Sequence, residues 1–554
     1  MNGFLGDVWS LAAPYWRSEE RWRARLTLVG LLAIKFTTIW VCVAQNRWYN
    51  TFYTAIQAHD LPAFWAQVLL FGGLGLALTV LHVQAHWMAW TIKTRWRAWM
   101  VRRYTQDWLT NRIYYRMQIE GDDVRNPDQR IAEDIGLFTD RTLDLTVGFL
   151  DVAVSLISFT TILWGLSGTL DLLGFALPGY MVFAVFAYTL TCSYLTHRLG
   201  RPLIGIFSDR ATLEADFRYG LLRIREHAEA VAFHRGEPAE TAILSGRWSR
   251  IYANIWQGLR GERRLFWFTN AYGQVSIIMP FLLVVPKFFS GAMTFGEVMQ
   301  VTAAFGAVAA CLAYFINQYQ QIAHWQAETQ RVKALREMLD RRLAEPGSNL
   351  TVDAVSGDLD ITGLGLSVPG GREILSGLNL TVPAGTKLLV RGPSGSGKST
   401  LLRAIAGIWP LATGRVRLDP GTAQFLPQRP YLPLGPLRSA LTYPAAENAS
   451  PEALEAILGR VGLAHLVPHL DEVDHWDKRL SGGEQQRIAF ARIFLARPAT
   501  IFLDEATSAL DEDLERSLYE GLRQAEWNPT VISIGHRSTL VAYHDDVLTL
   551  RAAA

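Results

Sequence analysis

Cysteine is scarce in this chain: Cys42, Cys192 and Cys311 are the only three among 554 residues. They lie far apart within apolar stretches. This gives neither the spacing of a zinc site nor an even disulfide framework, and they read as small core residues. An excess of one charge is also missing. The formal net charge is +2 at pH 7, so the basic footprint of a nucleic-acid partner is absent. Charged residues make up only 19% of the chain against 50% hydrophobic, and mean hydropathy is +0.11, unlike an ordinary soluble protein. The stretch Met1 to Trp16 has no basic leader, which argues against a secretory signal. Its aromatics and leucines suit a short helix in the membrane interface or a solvated arm.

The chain is too long for one ordinary domain, and its composition divides. Most of the 19 Trp and all the long apolar runs precede residue 330. A membrane-crossing helix needs about 20 apolar residues. Six stretches qualify, near 26–44, 64–92, 143–166, 172–195, 265–288 and 298–322. Periodic apolar positions continue past their ends at Trp96, Trp99, Tyr104 and Trp108, so the helices are expected to project beyond the bilayer on one side. Residues 1–343 are therefore read as a membrane α-helical domain, 344–355 as a linker, and 356–554 as a soluble α/β domain.

Positive charge orients the spans. Arg17, Arg21, Arg23 and Arg25 precede the first. Lys93, Arg95, Arg97, Arg102, Arg103, Arg112 and Arg116 follow the second, and Arg198, Arg201, Arg210 and Arg218 follow the fourth. The opposite loops hold little more than Arg47 and Lys287. Both termini are expected on the cytoplasmic side. The connections near 92–143 and 196–266 are too long to lack structure of their own. Asn126–Ile131 and the charged run 223–240 are expected to form coupling helices that touch the soluble domain, or else simply solvated helix surface. Polar residues within spans are Lys35, His82, Gln84, His86, Asp151, Asn317 and Gln318. Such groups line a cavity or join helices, and the first reading makes Lys35, His82, Gln84, His86 and Asp151 a candidate substrate pathway.

The second half carries expected strands at 358–368, 378–382 and 386–390. The last runs into Gly392, Pro393, Ser394, Gly395, Ser396, Gly397, Lys398, Ser399 and Thr400, followed by an apolar helix, 401–408. A Gly-rich loop ending in Lys-Ser between strand and helix is a P-loop. Its backbone N–H groups converge on phosphate oxygens at a helix N-terminus. Lys398 is expected to reach the β- and γ-phosphates of ATP and Ser399 to face Mg²⁺.

Five further elements follow in order: Gln428 within Leu426–Pro430, Leu480-Ser481-Gly482-Gly483-Glu484-Gln485-Gln486, Ile501–Glu505, Ser508–Asp511, and His536 within Ile534–Arg537. With the P-loop these resemble the ABC transporter family over the whole chain, as its Q-loop, signature, Walker B strand, D-loop and switch histidine. The resemblance implies an exporter-type membrane fold and an ATPase that hydrolyses ATP. Asp504, Ser399 and Gln428 would hold Mg²⁺. Glu505 would activate water, with His536 and Gln428 as further catalytic groups. Ser481, Gly482, Gly483 and Glu484 would meet the ATP of an opposite subunit beside Asp511, so the working form would be a homodimer. The region 364–369 lacks the aromatic ring that many members place on adenine, and aliphatic contact is expected there.

The sequences Asn46–Tyr53 (NRWYNTFY), Asn126–Ile131 (NPDQRI), Tyr431–Gly435 and Trp476 are similar to those of a bacterial permease/ATPase group related to SbmA/BacA peptide transporters, and also to the peroxisomal fatty-acyl subfamily D. This implies the bacterial inner membrane. It also implies a small-molecule or peptide cargo: peptide-like, bleomycin-like or cobalamin-like. The alternatives are fatty acids or acyl-CoA, and an ATP-gated channel or sensor.

Overall fold

The computed structural model describes residues 2–121, 124, 126–172, 175–345, 347–445 and 449–550. It divides into two compact units, Met1–Thr105 with Asn126–Met338, and Gln106–Arg125 with Leu339–Ala554.

The first unit is built from long helices. After α1 (Asn2–Arg17) come α2 (Arg21–Gln57), α3 (Leu61–Leu109), and helices over Ile135–Ser167, Tyr180–Glu226, Glu237–Phe289, Phe295–Asn317 and Tyr319–Ala344. The Glu237–Phe289 helix has 53 residues. At 1.5 Å per residue it is about 80 Å long, against roughly 30 Å of hydrocarbon, consistent with projection beyond a bilayer. Among the described residues, five helices are long and apolar enough to cross a membrane. The helix from Tyr180 is not among them, because Tyr188, Thr189, Thr191, Ser193 and Tyr194 dilute its apolar run.

Three expectations need correction. The fourth span was expected from residue 172, but Thr169–Leu172 and Phe175–Pro178 form an antiparallel hairpin and the helix starts at Tyr180; residues 173 and 174 lie outside the described residues. Gly168 and Gly179 adopt φ of 60° and 69°, which ends one helix and precedes the next. The sixth span was expected to run to 322, but its helix stops at Asn317 and a new one opens at Tyr319. Asn317 and Gln318 are therefore junction residues. The expected linker is partly a strand, since Asn349–Asp353 pairs in parallel with Ala412–Arg417; Pro346 lies outside the described residues.

Helix α1 is docked, not a solvated arm. Tyr15 is fully buried and stacks on Trp96, whose indole meets Phe138 edge-on. Asp7 pairs with Lys333 at 2.6 Å. The other face leaves Leu5 and Trp9 exposed, the amphipathic division of an interfacial helix. The Asn46–Tyr53 motif is a helix-joining device. Asn46 and Gln300 exchange side-chain and backbone hydrogen bonds, and Asn50 Nδ2 donates to Gln300 Oε1 at 3.1 Å. Gly296 permits this approach: a Cβ there would lie 2.1 Å from the Asn50 carbonyl oxygen.

The second unit carries a five-stranded parallel sheet. Its order is Asp546–Thr549, Lys387–Arg391, Thr530–Ile534, Thr500–Asp504, Ala423–Leu426. Central strands covered on both faces read as unbroken apolar runs, and Thr530–Ile534 is buried at every position. A four-stranded sheet is formed by Asn349–Asp353, Ala412–Arg417, Leu359–Ser367 and Glu373–Val382. Leu364, Leu366, Val390, Leu401 and Ile405 share one core.

The two segments expected to form coupling helices, 126–131 and 223–240, both belong to the first unit. Residues 126–131 belong to the first unit, where Asp134 just beyond them holds Arg331 by two bonds of 2.7 Å. The preceding segment, Gln106–Arg125, is the part that groups with the soluble unit. Within 223–240 a short helix, Ala228–Phe233, projects an exposed Phe233.

Candidate nucleotide site and membrane cavity

The P-loop spans the end of strand Lys387–Arg391 and the start of helix Lys398–Ile405. Gly395 and Gly397 have φ of 83° and 86°, open to glycine and strained for other residues. Gly397 also faces Ile374, whose Cδ1 would lie 3.1 Å from an added Cβ. Lys398 Nζ donates to the carbonyls of Gly392 (3.0 Å) and Pro393 (2.9 Å), so its ammonium lies over the loop. The Ser396 hydroxyl is buried and has no hydrogen-bond partner among the described residues. An orphaned buried donor beside a loop-bound ammonium fits an oxyanion.

The carboxylates stand at the end of strand Thr500–Asp504. Ser399 Oγ donates to Asp504 Oδ1 at 3.0 Å. Burial pushes the Asp504 carboxyl above its ordinary range, the Ser399 hydrogen bond opposes the shift, and the neighbouring Glu505 adds to it. Two hard oxygens with one carboxylate short of countercharge fit Mg²⁺. Glu505 has φ 50°. Its N–H donates to the Ile534 carbonyl and its own carbonyl accepts from Ser508 N–H, each at 3.0 Å. The carboxylate accepts from Gln428 Nε2 at 3.0 Å and lies 3.2 Å from His536 Nε2. Gln428, expected to contact Mg²⁺, is thus bonded to Glu505.

Ser481 caps the signature helix Gly482–Ala496. Its Oγ accepts from Glu484 N–H, while its own N–H and hydroxyl donate to Glu484 Oε2 at 2.9 and 2.8 Å. These bonds, the Ser481 N–H first, hold the Glu484 carboxyl below its ordinary range. Gly483 packs on the D-loop, where an added Cβ would lie 3.1 Å from the Ala509 carbonyl oxygen. Asp511 caps helix Glu512–Arg523 through Leu514 N–H.

Two residues within the sequence motifs, Gln486 and Arg537, organise the site although the sequence assigned them no role. Buried Gln486 donates to Ser508 Oγ (3.2 Å) and to the Gln428 carbonyl (3.4 Å), and accepts from Ala509 N–H (3.0 Å), which joins signature helix, Q-loop and D-loop. Arg537 donates to the carbonyls of Leu510 and Ser508 and to Glu515. Their positions at the ends of the motifs Leu480–Gln486 and Ile534–Arg537 were the available signal.

In the first unit, Lys35, His82 and His86 line one cavity of about 610 Å³ with Asp144, Leu31 and Val147. Lys35 pairs with Asp151 at 3.3 Å, and Lys93 with Asp144 at 2.8 Å. Gln84 and Asn317 are exposed, Gln318 is half-buried, and all three are outside this lining.

Fold and site together define a chain with a helical membrane unit and a P-loop nucleotide-binding unit. Residues 10–289 match the family model "ABC transporter transmembrane region 2" and residues 375–508 match "ABC transporter". An uncharacterized ABC transporter ATP-binding protein of Haemophilus influenzae is 35% identical over 546 residues, covering 98% of this chain and 92% of the relative. The lysosomal cobalamin transporter ABCD4 of Homo sapiens is 27% identical over 479 residues, covering 79% and 77%. The structure of a bacterial Atm1-family ABC exporter with ATP bound superposes with TM-score 0.72 at 17% identity, covering 96% and 94%; this shows the fold. The chain belongs to the ABC transporter family: it is a membrane protein with an exporter-type fold and an ATP-binding domain.

Proposed function

We propose that this chain is a half-transporter that works as a homodimer in the bacterial inner membrane, termini cytoplasmic, and couples Mg²⁺-dependent ATP hydrolysis to cargo movement. The single observation that carries the hydrolysis is the Gln428–Glu505–His536 constellation beside Ser399–Asp504. Lys398, Ser396 and the P-loop N–H groups bind phosphate. Ser399 and Asp504 hold Mg²⁺, which supplies charge neutralisation when bound. Glu505 orients and deprotonates water, and His536 and Gln428 hold its carboxylate in place. Ser481 turns its hydroxyl from Glu484 toward the ATP of the partner subunit. Adenine contact is aliphatic, and Ile374 beside Gly397 is suited to it. The segment 106–125 and the exposed helix Ala228–Phe233 act as coupling elements.

The cargo is amphipathic and rich in neutral polar groups, peptide-like or cobalamin-like, as in the group related to SbmA/BacA. The cavity supports this over a fatty acid. Its lining lysine, Lys35, and the adjoining Lys93 each already carry a carboxylate partner. A fatty carboxylate would have to break such a pair, whereas the imidazoles of His82 and His86 can donate or accept toward amides. ATPase stimulation is tested on purified dimer in lipid with peptides, corrinoids and acyl-CoAs. Stimulation by the first two is expected. Stimulation by acyl-CoA alone would replace this cargo class, and slow turnover indifferent to all three would favour a sensor.

A further inference from the structure

Glu505 and His536 stand on separate loops, which leave the adjacent parallel strands Thr500–Asp504 and Thr530–Ile534. Glu505 holds φ 50° although it is not glycine, a conformation that persists only where the surroundings enforce it. Its bonds to Ile534 and Ser508 fix the backbone at Glu505 itself. The two loops continue beyond it, one to Thr507 and the other to Arg537 and Thr539.

Both continuations end on one side chain. Glu515, on helix Glu512–Arg523, is wholly buried. Its Oε2 accepts from Thr507 Oγ1 at 2.8 Å and from Arg537 Nη1 at 3.2 Å. Its Oε1 accepts from Thr539 Oγ1 at 2.7 Å. A carboxylate out of water is costly unless it is paired and hydrogen-bonded. Here the guanidinium supplies the countercharge and the two hydroxyls satisfy further lone pairs. Arg537 also donates to the Leu510 and Ser508 carbonyls of the D-loop, so Glu515 orients that loop through it. The helix that carries Glu515 is anchored by buried Leu518, Tyr519 and Leu522. A group on a packed helix is a rigid reference for the loops around it.

We propose that Glu515 is a positioning residue of the ATPase: it clamps the loop after Glu505 to the loop after His536 and so sets the spacing of those two side chains, 3.2 Å in this structure. It rests on the nucleotide-site reading above. None of the bonds of Glu515 named here involves the P-loop, so its loss acts on turnover and leaves ATP binding in place. Glu515→Gln keeps the volume, replaces one acceptor oxygen with an amide that cannot accept, and cancels the charge facing Arg537. The test uses the full chain in lipid nanodiscs with Mg-ATP, with competent sites counted by a fluorescent ATP analogue. In Glu515→Gln, kcat per competent site is expected to fall at least about tenfold, since a misplacement of about 1 Å can cost about 10²-fold. KM for ATP should stay within about twofold, the pattern of an interaction needed only in the transition state. A merely structural role would reduce the number of competent sites and leave kcat per site unchanged; that outcome overturns the proposal. A loss of ATP affinity as large as the loss of kcat overturns it too. Thr539→Val and Thr539→Ser serve if the glutamine variant fails to fold. Valine matches threonine in shape but cannot donate, and should lower kcat about threefold at unchanged KM, part of what a hydrogen bond to a charged group is worth. Serine keeps the hydroxyl and should restore turnover. A valine variant as fast as the unsubstituted chain, or a serine variant as slow as valine, overturns the proposal. Absence of ATP binding in the unsubstituted chain removes the nucleotide-site reading, and this proposal with it.

Discussion

Gln428 donates its side-chain amide to Glu505 at 3.0 Å, and the loop carrying Gln428 is also held through its backbone carbonyl by Gln486 of the signature helix. The carboxylate that would activate water is thereby linked to the element that would meet the partner's ATP. Glu505→Gln keeps the size and the backbone while removing the base. Nucleotide binding should persist and phosphate release should fall about 10²-fold or more. Normal turnover in that variant would show that Glu505 has the wrong role.

Lys398 lies over the loop carbonyls with its ammonium available to phosphate. In Lys398→Ala, the rise in melting temperature caused by ATP should disappear, because ligand stabilisation scales with occupancy. An undiminished ATP-dependent shift would count against phosphate binding by this loop.

The buried imidazole of His544 lies between the Ser533 hydroxyl (2.8 Å) and the Leu540 carbonyl (2.7 Å). Burial, the leading cause, holds its pKa below the ordinary 6.5. With a folded pKa below the unfolded one, the unfolded state binds the proton first. Its stabilisation is complete above about pH 6.5 and is lost as pH falls from there through the depressed folded value. Denaturant melts of the full chain should therefore lose stability on acidification below that pH, and His544→Gln should flatten this limb. An identical acid limb in the variant would assign it to other groups.

Lys35 and Asp151 form a partly exposed ion pair, with side chains 29% and 32% accessible. Removing either charge should leave the other uncompensated at apolar surroundings. Lys35→Ala and Asp151→Ala should each lower thermal stability, and the double variant should lose less than their sum, with a coupling of about 1 kcal/mol. Strict additivity would mean that the pair contributes nothing. Cargo-stimulated ATPase of the same variants reports whether the cavity is used in transport.

The order of motifs, the composition split and the lengths of apolar runs determined that this is a membrane protein of the ABC transporter family with an ATP-binding domain. These are local properties: a P-loop needs its glycines and lysine adjacent in the chain, and a span needs its apolar residues consecutive. Long-range packing decided the rest. Residues 172–195 look like one apolar run, yet Gly168 and Gly179 bracket a hairpin, because φ near 60° ends a helix whatever the hydropathy. The charged pattern at 126–131 looks like a contact helix, yet it belongs to the first unit, and it is residues 106–125 that group with the second. Arg112 is one arginine among many until a bend brings it to the Gly407 carbonyl, 295 residues away in the chain. Gln486 looks like a helix-surface residue until burial against the Q-loop and D-loop makes its amide the joint between them and its own helix. Hydrogen bonds and ion pairs are governed by distance in space, and only the folded chain supplies that distance.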